Sequence, residues 1–123
     1  MITFGANNPK NLLEIRYGGV VRPEECEKGL EQLRASLDKL GSGFRVLVDL
    51  TELELMDLKC APFIEKAMDL CNEHGASTVV RVVPDPHRDI GMSIMSIFHY
   101  RGDVRIVTCR NLAEATDILF AES

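Results

Sequence analysis

The sequence has no C-x-x-C pair and no cluster of metal ligands. Its four cysteines, Cys26, Cys60, Cys71 and Cys109, stand far apart, and its three histidines, His74, His87 and His99, are not interleaved with them. The spacing of a zinc site is therefore missing, and the cysteines read as reduced thiols filling small core or half-buried positions. Basic clusters are missing too. There are 14 Lys and Arg against 19 Asp and Glu, a net charge of −5, with the basic residues dispersed. That balance argues against nucleic acid as a partner, because binding a phosphate backbone rests on clustered positive charge. No apolar run approaches the roughly 20 residues a membrane-spanning helix needs. The N-terminal "MITFGANNPK" lacks the basic-then-apolar order of a signal peptide, so the expected location is the cytoplasm. No linker, low-complexity tract or repeat interrupts the chain, and residues 1–123 read as one domain large enough to bury a core.

What the chain does have is alternation of strand and helix patterns. "NLLEIRYGGVV" places Leu13, Ile15 and Tyr17 between Glu14 and Arg16, which is strand periodicity. Gly18-Gly19 predicts a turn, with Val20-Val21 returning as a short second strand, and Ile2 to Phe4 can precede them as another. "RPEECEKGLEQLRASLDKLGSG" predicts a helix: Pro23 suits its first position, Glu24 and Glu25 its positive end, and Leu30, Leu33, Leu37 and Leu40 one face, with Gly41 as the stop. "FRVLVDL", Phe44 to Leu50, is nearly continuous apolar, as in a strand covered on both sides. "APFIEKAMDLCNEHG" predicts a second amphipathic helix ending at Gly75. A strand from Thr78 to Val83, a helix from about His87 to His99, a strand from Val104 to Cys109 and a helix "LAEATDILFA" capped by Asn111 complete the order. Strands alternating with helices predict an α/β sandwich on a small, four- to five-stranded mixed sheet with about four helices.

Three polar or apolar features are candidate sites. The first is the stretch between the predicted strand Phe44 to Leu50 and the second predicted helix, with Thr51, Glu52, Glu54, Asp57, Leu58 and Lys59. Asp57 is placed to cap a helix, and helix N-termini attract anions. The same residues also read as a plain connection, with Leu53 and Leu55 packing and the carboxylates in solvent. Asp49, Glu52, Glu54 and Asp57 supply enough carboxylates for a hard cation, but the stretch has no glycine-hinged loop with alternating ligands, so no metal is expected. The second is Asp85, His87, Arg88 and Asp89, where a strand ends and a helix begins, a common place for ligands in open α/β sheets. It reads either as a polar turn or as a binding site for a nucleotide or another anionic small molecule held by Arg88. The third is "GMSIMSIFHY", whose Met92, Met95 and Phe98 widen the apolar face beyond Ile90, Ile94 and Ile97. That width fits core packing, the wall of a pocket for a lipid-like ligand, or a partner surface, a homodimer included. No nucleophile, metal site or glycine-rich phosphate loop accompanies them, so neither enzyme chemistry nor a cofactor is expected.

Three segments resemble one known family. "IRYGGVVRPEECEKGLEQL", "VLVDLTELELMDLKCAPFI" and "CRNLAEATDIL" are similar to the first strands and helix, the central strand with its following helix, and the last helix of the STAS fold in its stand-alone form. That form is the SpoIIAA-like, anti-sigma-factor antagonist-like domain, and Asp49-Leu50-Thr51 and Met56-Asp57 carry the likeness best. In the family the aspartate matching Asp57 precedes a phosphorylatable hydroxyl residue, another small hydroxyl residue and glycine. Here Leu58, Lys59 and Cys60 occupy those places, so a phosphate switch has no acceptor at that position. The resemblance implies a divergent STAS-like sandwich and a regulatory or scaffold role. A protein partner would dock on Thr51 to Lys59, without that switch.

Overall fold

The structure, a computed structural model, describes residues 1–83 and 104–121. β1 (Ile2–Asn7) and β2 (Leu12–Val21) form an antiparallel hairpin in which Ile2 faces Tyr17 and Asn7 faces Leu12. The reversal between them uses Asn11 at φ 49°, a left-handed conformation that asparagine tolerates well. The Asn11 side chain also exchanges two hydrogen bonds with Gly41: it accepts from the Gly41 N–H at 2.9 Å and donates to the Gly41 carbonyl at 3.1 Å. Gly18-Gly19, expected as the turn, instead lies inside β2. Gly19 sits at φ +65°, and β2 stays paired with its neighbour on both sides of the doublet. The glycines serve a kink in a continuous strand rather than a reversal.

The neighbour is β3 (Arg45–Met56), parallel to β2 and six residues longer at its end than the expected stop at Leu50. Its register against β2 slips twice, between Arg16 and Gly18 and between Gly19 and Val20, and each time β3 carries the extra residue. Two bulges explain why the buried side chains Leu50, Leu53 and Met56 recur every third residue in an extended strand. With Thr51, Glu52 and Glu54 between the buried positions, this part of the strand lacks the period-two alternation of a regular one.

α1 (Pro23–Leu37) buries Cys26, Leu30, Leu33 and Leu37, and α2 (Ala61–Glu73) buries Ile64, Ala67, Met68 and Cys71. α1 ends one turn before the expected Gly41, and Leu40 packs from the loop beyond it. Both helices lie on one face of the sheet, over Leu13, Ile15, Tyr17, Val46, Val48 and Val79. β4 (Thr78–Val82) joins β3 in parallel through Arg45–Thr78 to Asp49–Val82, and β5 (Arg105–Cys109) joins β4 in parallel. The sheet order is β1-β2-β3-β4-β5. On its other face α3 (Leu112–Ala121), capped by Asn111 at 2.9 Å, covers Leu12, Val80, Val82 and Cys109 with Ala115 and Leu119. The helix expected over residues 87–99 lies outside the described residues. Among the described residues no helix is long and apolar enough to cross a membrane.

Candidate functional site

Asp49 is the hinge of the site. It is the last residue of β3 opposite β4, and its side chain is 5% exposed. One carboxylate oxygen accepts from the Thr51 N–H at 3.0 Å and the Thr51 hydroxyl at 2.7 Å, and the other accepts from Arg16 Nε at 3.2 Å. A buried carboxylate is tolerable only when its charge is met in this way. Asp49-Leu50-Thr51 thus closes a small turn-like clasp inside a strand, fixing where β3 leaves β4 behind.

Beyond that clasp β3 runs on beside β2 alone among the described strands, paired from Gly18–Glu52 to Val21–Met56. Here the side chains divide sharply. Leu53 and Met56 turn into the core, whereas Glu52, Glu54, Leu55, Asp57, Leu58 and Lys59 are exposed and Thr51 is half-buried. Leu55 is 47% exposed, opposite Val20 at 45%, and Leu58 is 57% exposed. Met1, Val20, Glu52 and Glu54 line an open groove of about 430 Å³ beside them. Leu55, which packs in the reading of this stretch as a plain connection, stands in solvent instead. Val20, across the ladder from it, stands in solvent as well. Neither exposure was visible without the register of β2 on β3.

Asp57 caps a different element from the one expected. Its carboxylate accepts from the Lys59 N–H at 2.9 Å, and its carbonyl accepts from the Cys60 N–H at 2.9 Å, which closes a three-residue 3-10 turn over Leu58–Cys60. α2 proper begins at Ala61. The cause is Pro62: a regular α-helix starting at Leu58 would need an N–H at position 62 to reach the Leu58 carbonyl, and proline has none. The Ala61 N–H makes that bond instead, with the tighter three-residue spacing. The acidic residues also do not converge. Asp49 is buried and engaged while Glu52, Glu54 and Asp57 point outward, and among the described residues no three metal-ligating side chains come together.

A second hollow of about 380 Å³ lies on the opposite sheet face, where Thr3, Glu14, Arg16, Leu47 and Asp49 meet Thr116 of α3. Among the described residues, α3 leaves this part of the face uncovered. The predicted ligand-binding residues Asp85, His87, Arg88 and Asp89, and the apolar residues Met92, Met95 and Phe98, lie outside the described residues.

No protein-family model matches the chain, and no curated protein matches its sequence. Solved structures do match its shape. The unphosphorylated anti-sigma factor antagonist SpoIIAA superposes with a TM-score of 0.66 at 12% identity, covering 97% of each chain. An uncharacterised protein of the DUF3478 family from Shewanella loihica, described as having a SpoIIAA-like fold, gives 0.64 at 18% identity over 97% of this chain and 92% of its own. The solution structure of the protein TM1081 gives 0.63 at 14% identity, over 97% and 88%. The mixed five-stranded sheet with its flanking helices is therefore a STAS-like, SpoIIAA-like fold.

Proposed function

We propose that the chain is a non-enzymatic regulatory or scaffold domain. It docks a protein partner through Thr51, Glu52, Glu54, Asp57, Leu58 and Lys59, as an anti-sigma-factor antagonist-like domain without the phosphoserine switch. The observation that carries this reading is the composition of the projecting end of β3 and the turn after it. Large apolar side chains, Leu55 and Leu58, stand in solvent among three exposed carboxylates. Exposed apolar side chains grouped with charge at one end of a sheet are the makings of an interface, where aliphatic anchors supply affinity and a charged rim supplies orientation. The SpoIIAA-like fold supports it further, since the neighbour of that name is an anti-sigma factor antagonist. Leu58 stands where the family carries its phosphoacceptor, so binding here is set by occupancy and not by phosphate at that residue.

Affinity purification of the tagged chain from its native cell should recover a specific protein. Leu58→Asp, and the double reversal Asp57→Lys with Lys59→Glu, should each abolish that recovery while leaving the circular dichroism spectrum unchanged. Recovery of the same protein by all three forms would reject this surface.

A further inference from the structure

β1 is one edge of the sheet, with β2 on its inner side and no described strand on its outer side. The hydrogen bonds to β2 fix which of its backbone groups face outward. The Gly18 N–H donates to the Met1 carbonyl at 2.8 Å, and the Met1 ammonium donates to the Gly18 carbonyl at 2.8 Å, so these two residues form a hydrogen-bonded pair. From there the register runs without a slip, from Ile2 facing Tyr17 to Asn7 facing Leu12. Hydrogen-bonded pairs alternate along an antiparallel ladder. Thr3, Gly5 and Asn7 therefore turn their N–H and C=O groups to β2, and Ile2, Phe4 and Ala6 turn theirs away from the sheet. Among the described residues no hydrogen bond from another element meets the backbone of Ile2, Phe4 or Ala6.

Natural sheets ordinarily guard such an edge with charge, proline or a bulge. β1, with the sequence ITFGAN, has none of the three. By contrast β5, at the other end of the described strand order, opens on the exposed Arg105. Gly5 puts no side chain in the way of an approaching strand, and open space lies where a Cβ would stand. The core is also incomplete at this edge: Ile2 and Phe4 pack against it but remain half-buried.

We propose that β1 pairs with β1 of a second copy of this chain, antiparallel about a two-fold axis at Phe4, joining two five-stranded sheets into one. The strand is its own complement. With Phe4 opposite the second copy's Phe4, Ile2 faces the second copy's Ala6 and Ala6 faces its Ile2. Every outward donor and acceptor then meets its mate, about six hydrogen bonds in all. No other two-fold register satisfies all three residues. Self-pairing sets like residues near like, which repels wherever a strand is charged. The absence of charge is what suits β1 to its own copy. The half-buried Ile2 and Phe4 of both copies share one face, so the core continues across the axis. A two-fold contact of this kind consumes the edge on each copy and stops at two. Met1 lies beside Gly18, which faces Glu52, so the antiparallel arrangement carries the two Thr51–Lys59 surfaces to opposite ends of the joined sheet.

The test is sedimentation of the full chain across a concentration series, which should reach twice 13.7 kDa. Ala6→Pro removes an outward N–H and leaves the bonds to β2 in place. Thr3→Lys with Gly5→Lys sets each new charge opposite one on the other copy, because Thr3 faces Gly5 in the proposed register. Both variants should sediment at 13.7 kDa where the unaltered chain is dimeric. In the same samples the amides of Ile2 and Phe4 should exchange about tenfold or more faster, while those at positions 3 and 5, bonded to β2, keep their protection. Where proline at position 6 unfolds the hairpin, the lysine pair decides the test. Leu58→Asp should leave the mass unchanged, which separates this contact from the docking surface proposed above. A mass of 13.7 kDa at every concentration up to about 1 mM overturns the proposal. So does a dimer that survives both β1 changes, a dimer lost with Leu58→Asp, or growth beyond two copies.

Discussion

Asp49 and Arg16 form an ion pair whose two halves sit in unlike surroundings: the Asp49 side chain is 5% exposed and that of Arg16 55%. Removing one partner of such a pair is costly in proportion to how deeply the other is stranded. Asp49→Ala should cost about 1–3 kcal/mol, because the Thr51 N–H and hydroxyl lose their acceptor inside the fold. Arg16→Ala should also cost about 1–3 kcal/mol, since it leaves the Asp49 carboxylate, 5% exposed, without its counter-charge. Urea denaturation of the two variants measures both costs. Glu25 makes a pH-dependent contribution of its own. Its carboxylate lies 2.9 Å from the Met1 ammonium, and that hydrogen bond, with smaller help from charge and from Arg22, holds its pKa below the ordinary 4.5. A lowered pKa adds stability that is present above 4.5 and lost as the pH falls through the folded value. Glu25→Gln should flatten the acid limb of the stability curve slightly, as expected for a surface pair.

At the scale of elements, close approach matters more than propensity. Gly29 of α1 lies under the Phe4 ring, and a Cβ there would come within 2.9 Å of it. Alanine would favour the helix by up to about 1 kcal/mol, but overpacking against β1 should cost about 1–3 kcal/mol, so Gly29→Ala should lower the melting temperature. Pro62 makes the complementary case. Pro62→Ala restores the missing N–H, and the Leu58–Cys60 turn should become the first turn of α2, read as a shift of its Cα resonances toward α-helical values. These elements also show where sequence was a sufficient guide. The apolar spacing of α1 and α2, the unbroken run at Val46–Leu50 and the cap at Asn111 depend on near neighbours, and all are where the pattern put them. The run from Thr51 to Met56 depends on two bulges against β2, a distant pairing that no local period reports. Gly18-Gly19 misled for the same reason, because a doublet suited to reversing a chain is equally suited to bending a strand that has a partner.

For the whole molecule, the core beneath α1 and α2 gathers ionisable groups that must stay neutral. Burial raises the Tyr17 hydroxyl above its ordinary 10.0, and it raises Cys71 from 9.0 to about 12. A raised folded pKa gives stability that is complete below the unfolded value and lost as the pH climbs toward the folded one. Unfolding free energy should therefore hold steady up to about pH 9 and decline above it, and Cys71→Ala, destabilising at neutral pH, should soften the decline. Chemical denaturation on both sides of pH 9 measures this. The fold was legible in the sequence at this scale because the order of strands and helices dictates a layered sheet. The candidate surface was legible only as a list of residues, since which of them face solvent follows from β3 outrunning β4.

The paired hydrogen bonds between Asn11 and Gly41 weld the tip of the first hairpin to the bend that follows α1. Two surface loops that an engineer would treat as independent graft points are thus a single buckle, and lengthening either one alone pulls on the other.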